Sequence, residues 1–129
     1  MTYIKSGVNY SQLDPQKIIA QKVGLLTRIN LKNTGFKELS TSRGESAYII
    51  ESTNSFYAFV IEGLGTKNLV ADEVRKITGK TYYDVIAQDT VAMIVNDLIT
   101  VGAKPLTINA YWAVGHADWF KDKKRINDF

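Results

Sequence analysis

Apolar residues recur at helical spacing in the first quarter of the chain and predict an amphipathic helix. Asp14 is its expected N-cap, and Pro15 stands at the first helical position, where its missing N–H is not needed. The pattern reaches about Leu31, and Asn33-Thr34-Gly35 then ends the helix. The apolar positions that define it are Ile18, Ile19, Leu25, Leu26 and Ile29.

The pattern changes to short β-rich runs in the middle of the chain. A polar stretch, Glu38 to Ser46, has the composition of an exposed or mobile loop. Two runs rich in β-branched and aromatic residues follow, Ala47 to Glu51 and Phe56 to Ile61. The four polar residues 52–55 separate them, so the sequence predicts a β-hairpin here.

Helical spacing returns in the second half of the chain. A short helix is expected over about Leu69 to Thr78, and Gly79 stops it. A long helix is expected from Tyr82 to Val101, with Gly102 as its C-cap. The apolar run Leu106 to Ala113 then predicts a buried strand.

Another helix is expected from Ala117 onward, with Trp119, Phe120 and Ile126 on its apolar side. The chain stops at Phe129 within this pattern. We therefore expect a chain cut off before a second domain. In that case the apolar surface around Trp119 and Phe120 is left exposed, and it favours association.

Composition restricts the class of protein. A chain of 129 residues with 45% hydrophobic and 22% charged residues is expected to form one globular domain. It has no cysteine, which excludes disulfides, cysteine-based zinc sites and a cysteine nucleophile. We expect no membrane span and no signal peptide, and a cytoplasmic location.

The net charge of +3 is spread among acidic residues and does not form the stripe expected of a nucleic-acid binder. The one dense basic run, Lys121 to Arg125, includes Asp122. It is interpreted as a solvated helix face, with a phosphate-binding patch as the less favoured alternative. No nucleic-acid partner is expected, whereas a mild positive charge suits an enzyme that handles nucleotide phosphates.

The first candidate for chemistry is the loop Gly63-Leu64-Gly65-Thr66-Lys67, between a predicted strand and a predicted helix. Its glycines allow a ligand to approach the backbone, and the helix N-terminus offers N–H groups to an anion. Lys67 adds a charge, and Thr66 adds a hydroxyl. The spacing matches neither a Rossmann fingerprint nor a Walker A loop, so a phosphate site and a simple turn remain equally open.

The second candidate is the set Asp89, Asn96 and Asp97 on the long helix. Asp89 and Asn96 are expected to share a face, about 10 Å apart along the axis. With Glu62, these oxygen ligands suit magnesium. Taken alone, however, the two aspartates are better explained as surface acids of an amphipathic helix.

The remaining polar and aromatic candidates give weaker signals. His116 is the only histidine and is expected to be structural, and no serine–histidine–acid set stands out. The aromatic residues near the chain end are expected to belong to a core or an interface rather than to stack on a base. They are Tyr111, Trp112, Trp119 and Phe120.

One motif, Asp97-Leu-Ile-Thr-Val-Gly102-Ala103-Lys-Pro105, carries a resemblance to a known family. It resembles the signature Asp, four residues, Gly-Ala-x-Pro of the aminoimidazole ribonucleotide synthetase superfamily. The helix from Asp89 to Asp97, the loop Gly63 to Lys67 and the opening Tyr3 to Asn9 are also similar to that family, in the same order. The resemblance extends over nearly the whole chain.

The resemblance implies an α/β fold, a two-layer arrangement of helices on a four-stranded mixed sheet. It implies that residues 1–129 form the N-terminal, ATP-binding domain, and that a C-terminal domain completes the substrate site. Two copies would pair through their sheets into a barrel-like homodimer, with ATP and Mg2+ near that interface.

The activity that the resemblance implies is ATP-dependent closure of the imidazole ring from formylglycinamidine ribonucleotide, a small-molecule nucleotide, in purine synthesis. The implied nucleotide contacts come from the glycine loop and the acidic helix, and the implied metal ligands are Glu62, Asp89 and Asp97. No catalytic residue is assigned. The implied nucleotide-binding residues are Gly63, Gly65, Thr66, Lys67, Asp89, Asn96 and Asp97.

Three departures from the family pattern keep alternatives open. Glu62 and Asn109 stand where the family usually has Asp, and the segment around Gly44 has a single glycine. One alternative is another ATP-dependent phosphotransfer enzyme of the same superfamily. The other is a non-catalytic dimerisation module, although Lys67, Asp89 and Asp97 are retained.

Overall fold

The computed structural model of the chain describes residues 9–109 and 111–129. Two compact units divide it, one reaching as far as Ala58 and the other spanning Phe59–Phe129, and each is described by itself. Most of the opening Tyr3 to Asn9, which contributes to the family resemblance, lies outside the described residues. No helix in the described ranges has the length and apolar character needed to cross a membrane.

The first unit begins with helix α1, Tyr10–Leu26. The predicted start at Asp14 is wrong, because Asn9 is the N-cap and its side chain accepts a hydrogen bond from the Ser11 N–H at 3.1 Å. Pro15 therefore lies inside the helix. A proline in the second turn removes a single backbone hydrogen bond, so the cap at Asn9, five residues before Asp14, sets the start of the helix.

The helix ends close to the expected place. A 3-10 helix, Thr27–Leu31, follows α1 directly. Asn33 and Gly35 then adopt positive φ angles of 63° and 83°, a conformation that ends regular helix. The predicted break at residues 33–35 is confirmed.

A three-stranded sheet follows, in the order β1 (Lys37–Glu38), β2 (Tyr48–Glu51) and β3 (Phe56–Phe59). β1 pairs antiparallel with β2, with Glu38 opposite Ile50. The predicted hairpin between β2 and β3 is confirmed, since the Ser52 N–H donates to the Ser55 carbonyl at 2.8 Å. The resemblance implied a four-stranded mixed sheet, whereas the described residues form three strands.

The predicted loop from Glu38 to Ser46 is an ordered part of the first unit. Its Ser40–Ser42 segment is a 3-10 helix, and Ser42 is buried. The Ser42 hydroxyl donates to the Leu39 carbonyl at 2.7 Å and accepts from the Ile49 N–H at 2.8 Å. The prediction of an exposed loop is confirmed for residues 40–41 and 44–46, and it is wrong for Ser42, which is buried and hydrogen-bonded.

The second unit contains helices α2 (Lys67–Thr78) and α3 (Tyr83–Thr100). Gly79 ends α2 with a φ of 73°, and Gly102 follows α3 with a φ of 71°. Both predicted helices are confirmed, with bounds that differ by two residues or fewer.

The predicted strand Leu106 to Ala113 is wrong for the residues that the structure describes, which exclude Ala110. Its residues form no regular structure, and Leu106 and Tyr111 are 80% and 81% exposed. A strand needs a neighbouring backbone to pair with, and the described part of the second unit gives this segment none.

The chain ends in a 3-10 helix, Ala117–Lys121, and helix α4, Lys123–Asp128. The predicted terminal helix is therefore present but interrupted at Asp122. A small core lies among these helices, formed by Ala71, Tyr83 and Ile86. The half-buried side chains that pack against it are Leu64, Tyr82, Trp119 and Phe129.

Candidate functional site

The loop that precedes α2 has the open backbone expected of a ligand-binding turn. Gly65 has a φ of 58°, which an L side chain rarely adopts. A Cβ added at Gly63 or Gly65 would meet no heavy atom within 4 Å. Thr66 is the N-cap of α2, and its side chain makes no capping hydrogen bond. Its hydroxyl therefore suits an anion, as do the N–H groups of α2 that follow Lys67, whose own N–H donates to the Leu64 carbonyl at 3.3 Å.

Lys67, the first residue of α2, forms an ion pair with Asp89 of α3. The lysine and aspartate side chains are 39% and 49% exposed, so water reaches both. The Lys67 ammonium also lies 2.8 Å from the Met93 sulfur, one turn along α3. The structure thus brings together Lys67 of the glycine loop and Asp89 of the acidic helix, which were the two separate candidates in the sequence.

The other predicted residues do not converge on this pair. On α3, Asn96 and Asp97 stand seven and eight residues beyond Asp89, which is about 10–12 Å along the helix. Among residues 9–109 and 111–129, no three His, Cys, Asp or Glu side chains are grouped to hold a metal ion. The implied ligands Glu62, Asp89 and Asp97 therefore do not form a single metal cluster in this chain.

Magnesium fits these residues in a different way. It prefers oxygen ligands and is often held by one or two carboxylates together with substrate phosphates. Asp89 is accessible and lies beside the open glycine loop, so one carboxylate with phosphate oxygens is a suitable donor set.

A cavity of about 190 Å³ lies beside the glycine loop. Its wall is mainly apolar, with Thr90 and Ile94 contributed by α3. Sequence reasoning missed these two residues, although their i, i+4 spacing with buried Ile86 places all three on one helix face. Glu62 and Asn109, which depart from the family's aspartates, both line this cavity.

His116 has a local structural role, as expected. Its side chain is 79% exposed, and its Nδ1 atom accepts a hydrogen bond from the Asp118 N–H at 3.2 Å. It therefore caps the 3-10 helix that starts at Ala117.

The aromatic residues near the chain end form one cluster, except for the exposed Tyr111. Trp119 packs edge-on against Tyr83 at 5.6 Å between ring centroids, and Trp112 packs against Phe129 at 5.3 Å. The expected core role is confirmed for Trp119. Phe120 remains 44% exposed, although it contacts both tryptophans.

Arg125 does not behave as a member of a solvated basic face. It donates to Asp72 at 2.9 Å and lies over the rings of Tyr83 and Trp119, at 5.3 and 5.0 Å. Burial raises the pKa of the Tyr83 phenol, so Tyr83 stays neutral beside this pair. The lysines of the run, Lys121, Lys123 and Lys124, are exposed as predicted.

A neighbouring ion pair joins Arg75 of α2 to Asp122, the N-cap of α4. The hydrogen bond from Arg75 lowers the pKa of Asp122 below its usual value. Together with the Asp72–Arg125 pair, it ties the end of the chain to α2.

The comparison with known families decides which family these residues belong to. The family described as "AIR synthase related protein, N-terminal domain" matches residues 44–127. This chain belongs to that family. The matched region of this AIR synthase related domain contains the glycine loop, the acidic helix and the ion pair between them.

Its curated relatives are phosphoribosylformylglycinamidine cyclo-ligases. The enzyme from Methanobrevibacter smithii is 29% identical over 118 residues, which cover 92% of this chain and 31% of the relative. The one from Thermococcus gammatolerans is 32% identical over 125 residues, covering 92% and 33%. The chain thus spans about a third of the length of these relatives. No solved structure matches it significantly.

Proposed function

We propose that this domain is the nucleotide-binding part of an ATP-dependent phosphoribosylformylglycinamidine cyclo-ligase of purine biosynthesis. The observation that carries the proposal is the meeting of Lys67, at the open glycine loop, with Asp89 of the acidic helix. An anion-binding group and a cation-binding group side by side suit a magnesium–nucleotide complex. The names of the relatives supply the substrate class.

In this proposal each group has one task. The backbone around Gly63 and Gly65 lets phosphates approach, and Thr66 and Lys67 bind their oxygens. Asp89 would hold Mg2+, which would neutralise phosphate charge when bound. Asn96 and Asp97 are proposed to assist nucleotide binding from the same helix. Most of the rate enhancement then comes from positioning and charge neutralisation, as in other phosphoryl transfers.

The chemistry follows from that arrangement. The terminal phosphoryl group passes to the amide oxygen of formylglycinamidine ribonucleotide and turns a poor leaving oxygen into phosphate. An internal nitrogen then closes the imidazole ring, and phosphate leaves. Lys67 is suited to hold the charge that moves onto the phosphate oxygens, because its ammonium is a compact point charge.

The proposal includes a homodimer in the cytoplasm, and a C-terminal domain that completes the substrate site. One observation supports pairing through the sheet: Tyr57 and Phe59, which share one face of β3, are 44% and 52% exposed. A second copy packed on this strand would remove them from water.

The test is calorimetric titration of the purified chain with a non-hydrolysable ATP analogue and Mg2+. We expect Lys67→Gln to weaken binding at least tenfold, the loss typical of a hydrogen bond to a charged group. The matched control is Lys76→Gln, which removes an exposed lysine from the same helix and should change affinity less than twofold.

Either of two results would contradict the proposal. The folded chain could fail to bind the analogue, or both lysine variants could lose the same affinity. The second result would mean that the affinity for the analogue depends on the overall charge of the chain and not on the glycine loop.

A further inference from the structure

The ion pair between Lys67 and Asp89 joins two residues that the proposed function assigns to different ligands. Lys67 is the group for phosphate, and Asp89 is the group for the divalent cation. In the structure, each side chain neutralises the charge of the other. Neither side chain is buried enough for the pair to be needed for folding.

We propose that this pair is an exchange switch that couples cation binding to phosphate binding. A cation that takes Asp89 breaks the pair and releases Lys67 for a phosphate. A phosphate that takes Lys67 releases Asp89 in the same way. The first ligand must compete with the internal partner, whereas the second finds its residue already free.

This coupling is reciprocal, because any free energy linking two sites acts equally on both ligands. Its size is limited by the strength of the pair that must be broken. For a half-exposed lysine–aspartate pair that limit corresponds to about a two- to fivefold change in affinity. The cost of breaking the pair can be measured with one ligand alone, which separates it from any direct contact between the cation and the phosphate.

The inference rests on the proposed function for the roles of the two residues. It makes a prediction that those roles alone do not. If Asp89 did not restrain Lys67, its removal would change phosphate binding in the absence of metal only through the lost negative charge, as the removal of Asp84 does. If it also restrains Lys67, its removal strengthens that binding.

The experiment measures the affinity of the chain for inorganic tripolyphosphate in the presence of EDTA. We expect Asp89→Asn to bind two- to fivefold more tightly than the wild type. Asp84→Asn is the matched control, because it removes one exposed carboxylate from the first turn of the same helix. It should leave the affinity within the error of the titration.

A second titration tests the reverse direction with Mn2+ alone. Lys67→Gln should bind the ion two- to fivefold more tightly than the wild type, while Lys76→Gln should not. Circular dichroism of each variant checks that it is folded. Unchanged affinities in Asp89→Asn and Lys67→Gln, or equal gains in their controls, would overturn the switch.

The outcomes separate the two proposals. A wild-type chain that binds magnesium–nucleotide, with unchanged tripolyphosphate affinity in Asp89→Asn, keeps the proposed function and rejects the switch. A chain that binds neither magnesium–nucleotide nor tripolyphosphate in any variant rejects both.

Discussion

Two of the ion pairs that join helix α2 to other elements differ in their surroundings. Asp72 binds Arg125, whose side chain is 15% exposed and lies against two aromatic rings. Lys67 binds Asp89 in a place where both side chains are well exposed. The same chemical pairing therefore occurs once inside an aromatic cluster and once beside an open loop.

The exposure of each pair determines whether a ligand can replace one of its partners. Removing Arg125 leaves the Asp72 carboxylate, which is 29% exposed, without its partner and with limited access to water, which is costly. Breaking an exposed pair costs little, because water replaces the lost partner. We therefore assign the Arg125 pair to stability and the Lys67 pair to binding.

The largest expected effect follows from Arg125→Ala. The change removes the partner of Asp72 and the contacts with Tyr83 and Trp119, so we expect the free energy of unfolding to fall by about 3 kcal/mol. Urea denaturation followed by circular dichroism measures it. Lys124→Ala, an exposed neighbour, should cost less than about 0.5 kcal/mol. If Arg125→Ala lowered the free energy of unfolding no more than this control does, the Arg125 pair could not be assigned to stability.

A smaller effect is expected for a third pair, in the first unit. Arg43 donates two hydrogen bonds to Glu38, both of 2.7 Å, and only 6% of the glutamate side chain is exposed. The bond from Arg43 lowers the pKa of Glu38 below its usual 4.5. This pair should behave like the Arg125 pair, because its carboxylate is shielded from water.

The pH dependence follows from the direction of that shift. A lowered pKa in the folded state gives stability that is present above pH 4.5 and is lost as the pH falls through the folded value. Arg43→Leu should lower the free energy of unfolding by about 1–2 kcal/mol at pH 7 and by much less at pH 3. Urea denaturation at both values checks this. An equal loss at both would mean that charge is not the cause.

The smallest expected effect on stability comes from Lys67→Gln. Breaking a half-exposed pair should change the free energy of unfolding by less than about 0.5 kcal/mol, although the same variant is expected to lose nucleotide affinity. Urea denaturation of the variant measures it. A loss above about 2 kcal/mol would show that the Lys67 pair is also structural, and the comparison with Arg125 would fail.

Local signals predicted the helices of the second unit well. Gly79 and Gly102 adopt positive φ angles, and a residue that tolerates this conformation marks a helix end in the sequence itself. The glycine loop and the acidic helix were both identified as candidates. Family resemblance, and not spacing, linked them, and the structure joins them through Lys67 and Asp89.

Partners distant in sequence account for most of what was missed. Arg125 lies 53 residues from Asp72, so nothing in the basic run distinguishes it from its lysine neighbours. The loop containing Glu38 and Arg43 was predicted from its polarity to be exposed or mobile. The burial of Glu38 depends instead on its hydrogen bonds with Arg43, which polarity does not reveal. The apolar run from Leu106 predicted a strand, but a strand also requires a neighbour that composition does not reveal.

The position of the two tryptophans has a consequence for spectroscopy. Trp112 and Trp119 are the only indoles in the chain, and both belong to the aromatic cluster of the second unit. Their emission therefore reports the state of the unit that carries the candidate site and contains no signal from the α1 unit. Because Trp112 is already 44% exposed, a shift of that emission to longer wavelength reports mainly the exposure of the half-buried Trp119 to water.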